Sequence, residues 1–367
     1  MLATRLVPLA LLLALGAVPA AAVPNACKKS CRTARTACLV PVTATFVAAR
    51  TACRALATPA LRRPCLATAR GTRATGQAAC RTTLKQCTAG CGTGGTPGCR
   101  SHQADWPSTV NAYRALANLP PVIEHPDWDA GVMAHATYTV VENTIGHTEN
   151  PASPAYTADG ATAAANSNVA GYSTPTPGFG WAVDLWMTGP FHAIGIIDPL
   201  LAESAFGIAH DTTGSIQTGA VLDVIRGRTA TAGPGTFPVI YPGDGMVLPL
   251  DRYNGNELPD PLAPCPGYSQ PSGPPILVQF GSFTPMPVIA DVVLARNGTP
   301  VEACAYDGDT YTTTDPATQA TARNVLGSRA ALVIMPRAVF TAGATYQVSL
   351  TAGGQPLAWS FTVACSP

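Results

Sequence analysis

The sequence is short of several things, and each absence narrows what the chain can do. It holds no G-x-S-x-G elbow, no H-E-x-x-H pair and no glycine-rich phosphate loop, so the common hydrolase and nucleotide-binding classes have no local signature here. Charge is scarce, at 12% of residues. Asp and Glu are missing altogether from residues 24–100, and Phe46 is the sole aromatic there, which removes the stacking platform that single-stranded nucleic acid needs. No nucleic-acid partner is expected. Beyond the first 22 residues no apolar run is long enough to cross a bilayer, so no transmembrane span is expected.

What is present begins with MLATRLVPLALLLALGAVPAAA: one early Arg5, an apolar run, and small residues at Ala20–Ala22. That is the layout of a secretory signal peptide over 1–22. The alternative, a lipid anchor on Cys27, has a poor lead-in at Pro24-Asn25-Ala26. Export implies a secreted, extracellular or periplasmic location, where an even set of twelve cysteines reads first as disulfides.

The first eight cysteines stand at 27, 31, 38, 53, 65, 80, 87 and 91, with gaps of 4, 7, 15, 12, 15, 7 and 4. The series is a palindrome. The pairs Cys27–Cys91, Cys31–Cys87, Cys38–Cys80 and Cys53–Cys65 each sum to 118, which centres the symmetry on Pro59. Antiparallel helices advance by equal rises, so residues with a common sum lie opposite one another. The intervening Ala and Thr permit the close approach a disulfide needs. The spacing therefore predicts a disulfide-stapled α-helical hairpin over 24–95, kinked at Pro41 to keep the cysteines on one face. Its outer ends resemble twin CX3C helical hairpins in shape. Zinc is the other use for such cysteines, but mirror symmetry and an oxidising location favour staples.

That hairpin is strongly basic. Residues 24–100 carry thirteen Lys and Arg, leaving eight after position 100 against all 21 acidic residues. The chain is thus about +13 in one part and −13 in the other, although its net charge is +1. The expected partner of the basic part is an anionic cell-envelope polymer or lipid surface; the bland alternative is a solvated rod.

GCGTGGTPGC at 90–99 ends the hairpin as a Gly-rich linker, and TATAGPGTFPVIYPGDG at 229–245 marks a second change of composition. Three modules follow: the hairpin, a mixed α/β domain at 100–230 and an all-β domain at 235–367. In the middle module, Pro107-Ser108-Thr109 precedes apolar Val110, Tyr113 and Leu116 at helical spacing. DWDAGVMAHATYTVVENT and FGWAVDLWMTG supply two more helices, and AFGIAH and AVLDVI read as strands.

The ordered pieces NAYR, LPPV, GHTEN, SNVA, VDLWMTGPFH and FGIA, over about 105–228, together resemble the CAP superfamily of cysteine-rich secretory, antigen-5 and PR-1-like proteins. The resemblance implies an α-β-α sandwich, usually secreted, with a cleft marked by two histidines and two glutamates. His147 fits the first histidine. The family's glutamates fall on Ser167, beside Asn168, and on Gly189. His192 matches the histidine of a bacterial form of the pattern, and Glu149 is a further carboxylate nearby. His147 and His192 with a carboxylate are candidate Zn²⁺ ligands; otherwise they are hydrogen-bonded loop histidines.

In the third module PPILVQFGSF, VIADVVLAR, AALVIMP, TYQVSLTAGG and LAWSFTV alternate with turn residues, predicting a β-sandwich. Its ending resembles bacterial Ig-like domains. YDGDTYTTTD, with three aspartates but no complete Ca²⁺-loop pattern, reads as a polar hairpin tip rather than a Ca²⁺ site. Cys99, Cys265, Cys304 and Cys365 admit three connectivities; Cys265–Cys304 with Cys99–Cys365 is preferred. The expected function is a non-enzymatic CAP-like binding protein for a small apolar or lipid-like ligand or an envelope partner. The alternative is a metal-dependent hydrolase of an envelope polymer or peptide.

Overall fold

The computed structural model describes residues 36, 39, 42–90, 103–230 and 236–364. The chain divides into two compact units, Met1–Gly95 and Thr96–Pro367. Among the described residues no helix is long and apolar enough to cross a membrane.

In the first unit, helix α1 covers 42–55 and α2 covers Pro59–Gly90, joined by a bend at 56–58. The Thr58 carbonyl accepts from the N–H groups of Leu61 and Arg62, and Arg62 Nε donates to Leu56 O at 2.6 Å, which closes the bend. Cys53 is bonded to Cys65 with Cα atoms 5.6 Å apart. The antiparallel register extends beyond that bond. A Cβ on Gly76 would come within 2.9 Å of Val42, another pair summing to 118, and the Arg73 guanidinium lies 4.6 Å from the Phe46 ring centre. The pairs Cys27–Cys91, Cys31–Cys87, Cys38–Cys80 and Cys99–Cys365 each include a cysteine outside the described residues, and Pro41 with its expected kink lies outside them too.

The second unit opens with α3 (Trp106–Ala115), where Asp105 caps the helix by accepting from Ser108 N–H and Pro107 occupies the first turn. There follow β1 (Ile123–Glu124), a 3₁₀ turn at Pro126–Trp128, α4 (Asp129–Val141), α5 (Ala158–Ala164), β2 (Ser167–Tyr172), α6 (Phe179–Thr188) and α7 (Pro190–Ile196). Strands β3 (Glu203–Ser204), β4 (Phe206–His210) and β5 (Thr218–Asp223) complete this half. The antiparallel sheet β2-β5-β4 has helices on both faces. Along β5, Val221 packs with Val132 and Ala136 of α4 and Ala163 of α5, while Ala220 and Leu222 join Tyr113, Trp186 and Ile194 of α3, α6 and α7. The period of two thus divides the layers. Helix α4 sits so close to the sheet that a Cβ on Gly207 would lie 2.4 Å from the Val132 carbonyl carbon.

The remaining strands are β6 (Val239–Tyr241), β7 (Met246–Leu248), β8 (Ile276–Gln279), β9 (Ile289–Arg296), β10 (Thr299–Val301), β11 (Ala303–Tyr306), β12 (Ala331–Pro336), β13 (Thr345–Ala352) and β14 (Gln355–Val363). They form a five-stranded sheet β10-β9-β13-β14-β7 and a four-stranded sheet β11-β12-β8-β6. This half, expected to be all β, contains a helix, α8 (Pro316–Gly327). Asp315 accepts from Thr318 N–H and Pro316 starts the helix, the same capping chemistry that opens α3. The segment read as a hairpin tip is instead a turn between β11 and α8, in which Asp307 accepts from the N–H groups of Asp309 and Thr310. Cys265 is bonded to Cys304, with Cα atoms 5.7 Å apart.

Both halves of the second unit share one apolar cluster, in which Trp186 and Ile194 belong with Val278, Leu332 and Phe361. Buried polar contacts stitch the same seam. Asp198 meets Arg228 at 2.9 Å and Arg329 at 3.1 Å, and Gln279 Nε2 donates to Ile197 O at 3.0 Å. Arg114, fully buried, donates to the carbonyls of Pro120, Ile196, Asp198 and Leu201. Burial draws its guanidinium down to about 10, against the opposing attraction of Asp198.

Candidate functional site

The candidate residues sit on four elements: the loop after α4 (His147, Glu149), the start of β2 (Ser167, Asn168), the first turn of α7 (His192), and a loop at 253–257 that the sequence did not single out. Glu149 is committed to the scaffold. Its Oε1 lies 2.9 Å from His135 Nδ1 on α4, and its Oε2 accepts from Thr157 N–H at 3.1 Å. His135 Nε2 donates to Gly146 O at 2.9 Å, so the ring is held at both nitrogens. A Cβ on Gly160 would come 2.5 Å from Glu149 Oε1, so the glycine makes room for this pair. Glu149 thus ties α4, the loop and α5 together.

His147 is exposed on one side and donates Nδ1–H to Ala164 O at 3.2 Å. Partial withdrawal from water pushes its ring below the ordinary 6.5, opposed by the bond to Ala164 and reinforced by His192 and His135. The bond from Nδ1 to Ala164 O fixes the orientation of the ring. Ser167 is buried, and its Oγ has no hydrogen-bond partner among the described residues. Asn168 Nδ2 donates to His192 O at 3.1 Å, fixing the start of α7 against β2.

His192 has a carboxylate partner that lies 65 positions away in sequence. Glu257 Oε1 accepts from the His192 backbone N–H at 3.0 Å and lies 2.8 Å from its Nδ1. The Glu257 side chain is only 3% exposed, and Oε2 is buried without a partner among the described residues. Desolvation therefore raises its carboxyl above the ordinary 4.5, with His192 pulling the other way. A Cβ on Gly189 would lie 2.4 Å from this carboxylate. The position where the family resemblance expects a glutamate is thus a glycine with a carboxylate from another segment lying on it. Nothing in NGNELPDP announced this role: the loop has no periodicity, and the pairing is purely long-range.

Above the dyad is a cavity of about 230 Å³, lined by His192 and Glu257 with Ile145, Val169, Tyr172, Trp181, Leu185, Trp186 and Tyr253 among its walls. Helix α6 contributes Trp181 and Leu185 one turn apart, and the Trp181 ring leans on Tyr172 with centroids 5.1 Å apart. The site can therefore enclose a small, mainly apolar group beside one imidazole–carboxyl pair. Zinc fits it poorly. Glu149 is taken by His135, His192 Nδ1 by Glu257, and two imidazole Nε2 atoms do not make the three protein ligands of a catalytic zinc. Among the described residues no group of three or more His, Cys, Asp or Glu is arranged to hold a metal ion. The chain matches no protein-family model, no curated protein and no solved structure.

Proposed function

We propose that this chain is an exported binding protein, built from a disulfide-laced basic hairpin, a CAP-like module and an Ig-like sandwich. Its cleft takes a small, largely apolar or lipid-like ligand, and its hairpin attaches by charge to an anionic polymer or lipid surface of the cell envelope. The cavity carries the ligand half of this proposal: aromatic and aliphatic walls around a single polar dyad are the usual make-up of a small-molecule site. At about 230 Å³ it lies below the roughly 300–1,000 Å³ typical of drug-sized ligands, so the enclosed group is small. Support for a CAP-like module comes from the ordered motifs and from His192 at the cavity wall. Support for envelope attachment comes from thirteen basic residues with no acidic one between 24 and 100.

Solvent extraction of the purified protein followed by mass spectrometry tests the cleft. A stoichiometric small apolar compound is expected from the native protein and not from Trp181→Asp. No compound from either, with no quenching of tryptophan fluorescence by any apolar probe, overturns it. The rival function, a zinc-dependent hydrolase, requires a heat of Zn²⁺ binding that disappears in His147→Ala.

A further inference from the structure

The hairpin holds a second cavity, and the geometry points to it as a binding site for a single-chain anionic amphiphile, a fatty-acid carboxylate. It lies between α1 and α2, measures about 700 Å³, and is lined by Val42, Phe46, Ala49, Cys53, Ala69 and Arg73 among others. None of the lining residues is acidic, and Arg73 is the charged one. This site is independent of the cleft and of surface attachment by charge.

Shape and charge select the occupant. The lining runs over residues 42–53 of one helix, a rise of about 16 Å. Over that length about 700 Å³ of half-open space lined by small side chains accommodates one extended hydrocarbon tail. Ala, Thr and Gly keep the slot open where larger residues would close it. Arg73 lies with its guanidinium 4.6 Å from the Phe46 ring centre, and its Nε is buried without an acceptor among the described residues. The hairpin contains no Asp or Glu to pair with it. An anionic headgroup supplies the missing charge while its tail covers the apolar lining. A second copy of the hairpin would bring a like charge of about +13 against this one.

Calorimetric titration of the full-length protein with sodium laurate below its micelle concentration tests the site. Saturable binding is expected, weakened at least tenfold by Ala49→Phe, which fills the slot, and by Arg73→Gln. Dodecyltrimethylammonium should bind at least tenfold more weakly than laurate. Equal affinity for the two detergents, or laurate binding unchanged in Ala49→Phe, overturns the proposal. Crosslinking by a diazirine fatty acid to the unmodified protein gives a second readout that does not depend on a variant's folding. Labelled peptides from 42–53 and 65–76 are expected; labels confined to 167–192 and 253–257 would assign the fatty acid to the cleft and overturn the hairpin site. Binding only to anionic vesicles, undiminished by Ala49→Phe, would leave surface charge alone and also overturn it.

Discussion

The two units of this molecule are held by different forces. In the hairpin the buried hydrophobic residues among those described are Cys53 and Ala69, and Cys53 is in a disulfide. Residues 103–364 instead bury Tyr113, Trp186, Tyr241, Tyr311 and Phe361 in one continuous cluster. A helix pair rich in Ala and Thr buries too little apolar surface to offset the entropy of ordering it, so covalent closure has to limit the freedom of the unfolded chain. The larger unit offsets the same entropy with aromatic and branched side chains. What each unit can do follows from this. The small side chains that deprive the hairpin of a core leave it a slot and a dense positive surface, while the tightly packed unit can hold a buried carboxyl such as Glu257.

The largest effect is expected from Trp186→Ala. Removing that side chain, 2% exposed, should cost the second unit about 3–5 kcal/mol in urea unfolding, while the helical signal of the hairpin persists. Loss of both together would contradict two separately stabilised units. Next is Asp198→Ala, which leaves Arg228 and Arg329 without their shared carboxylate. A loss of about 3 kcal/mol is expected in the same measurement, because unpaired buried charge is costly. A change under about 0.5 kcal/mol would show that the seam between the halves does not depend on it.

The reciprocal test is Cys53→Ser with Cys65→Ser. Reopening a loop with a sequence separation of 12 should lower hairpin stability by about 2–3 kcal/mol and leave urea unfolding of 103–364 unchanged. The smallest effects are in pH. Folded His147 takes its proton below 6.5, so as pH falls beneath 6.5 the unfolded chain binds more protons and stability declines, shallowly because the ring is exposed on one side. Folded Glu257 holds its proton above 4.5, so as pH rises above 4.5 the unfolded chain binds fewer and stability declines in the opposite sense. His147→Gln and Glu257→Gln should each remove one of these slopes in melting temperature against pH. A slope that survives its own substitution belongs to another group.

Legibility in the sequence follows the range of each interaction. The bond between Cys53 and Cys65 is readable because two antiparallel helices keep a constant sum of residue numbers, and Val42 against Gly76 obeys the same sum. Helices α3, α4 and α6 are readable from caps and apolar spacing. The same signals, Asp315 followed by Pro316, mark α8, but they lie among strand-like runs that drew the whole region toward β. The Pro- and Gly-rich change at 229–245 looks like a boundary, yet Val239 and Tyr241 of β6 share a cluster with α6 and α7. His147 and His192 stood out through local motifs, whereas Glu257 reaches Gly189 only through the fold, and Glu149 is absorbed by His135, a residue hidden in a helical run.

Covalent closure holds the basic hairpin, while packing holds the rest. Disulfide mapping of the non-reduced protein by proteolysis and mass spectrometry tests it most directly. Linked peptides are expected for Cys27–Cys91, Cys31–Cys87 and Cys38–Cys80 beside Cys53–Cys65. A Cys27–Cys31 bond, or free thiols at Cys31 and Cys87, would contradict it.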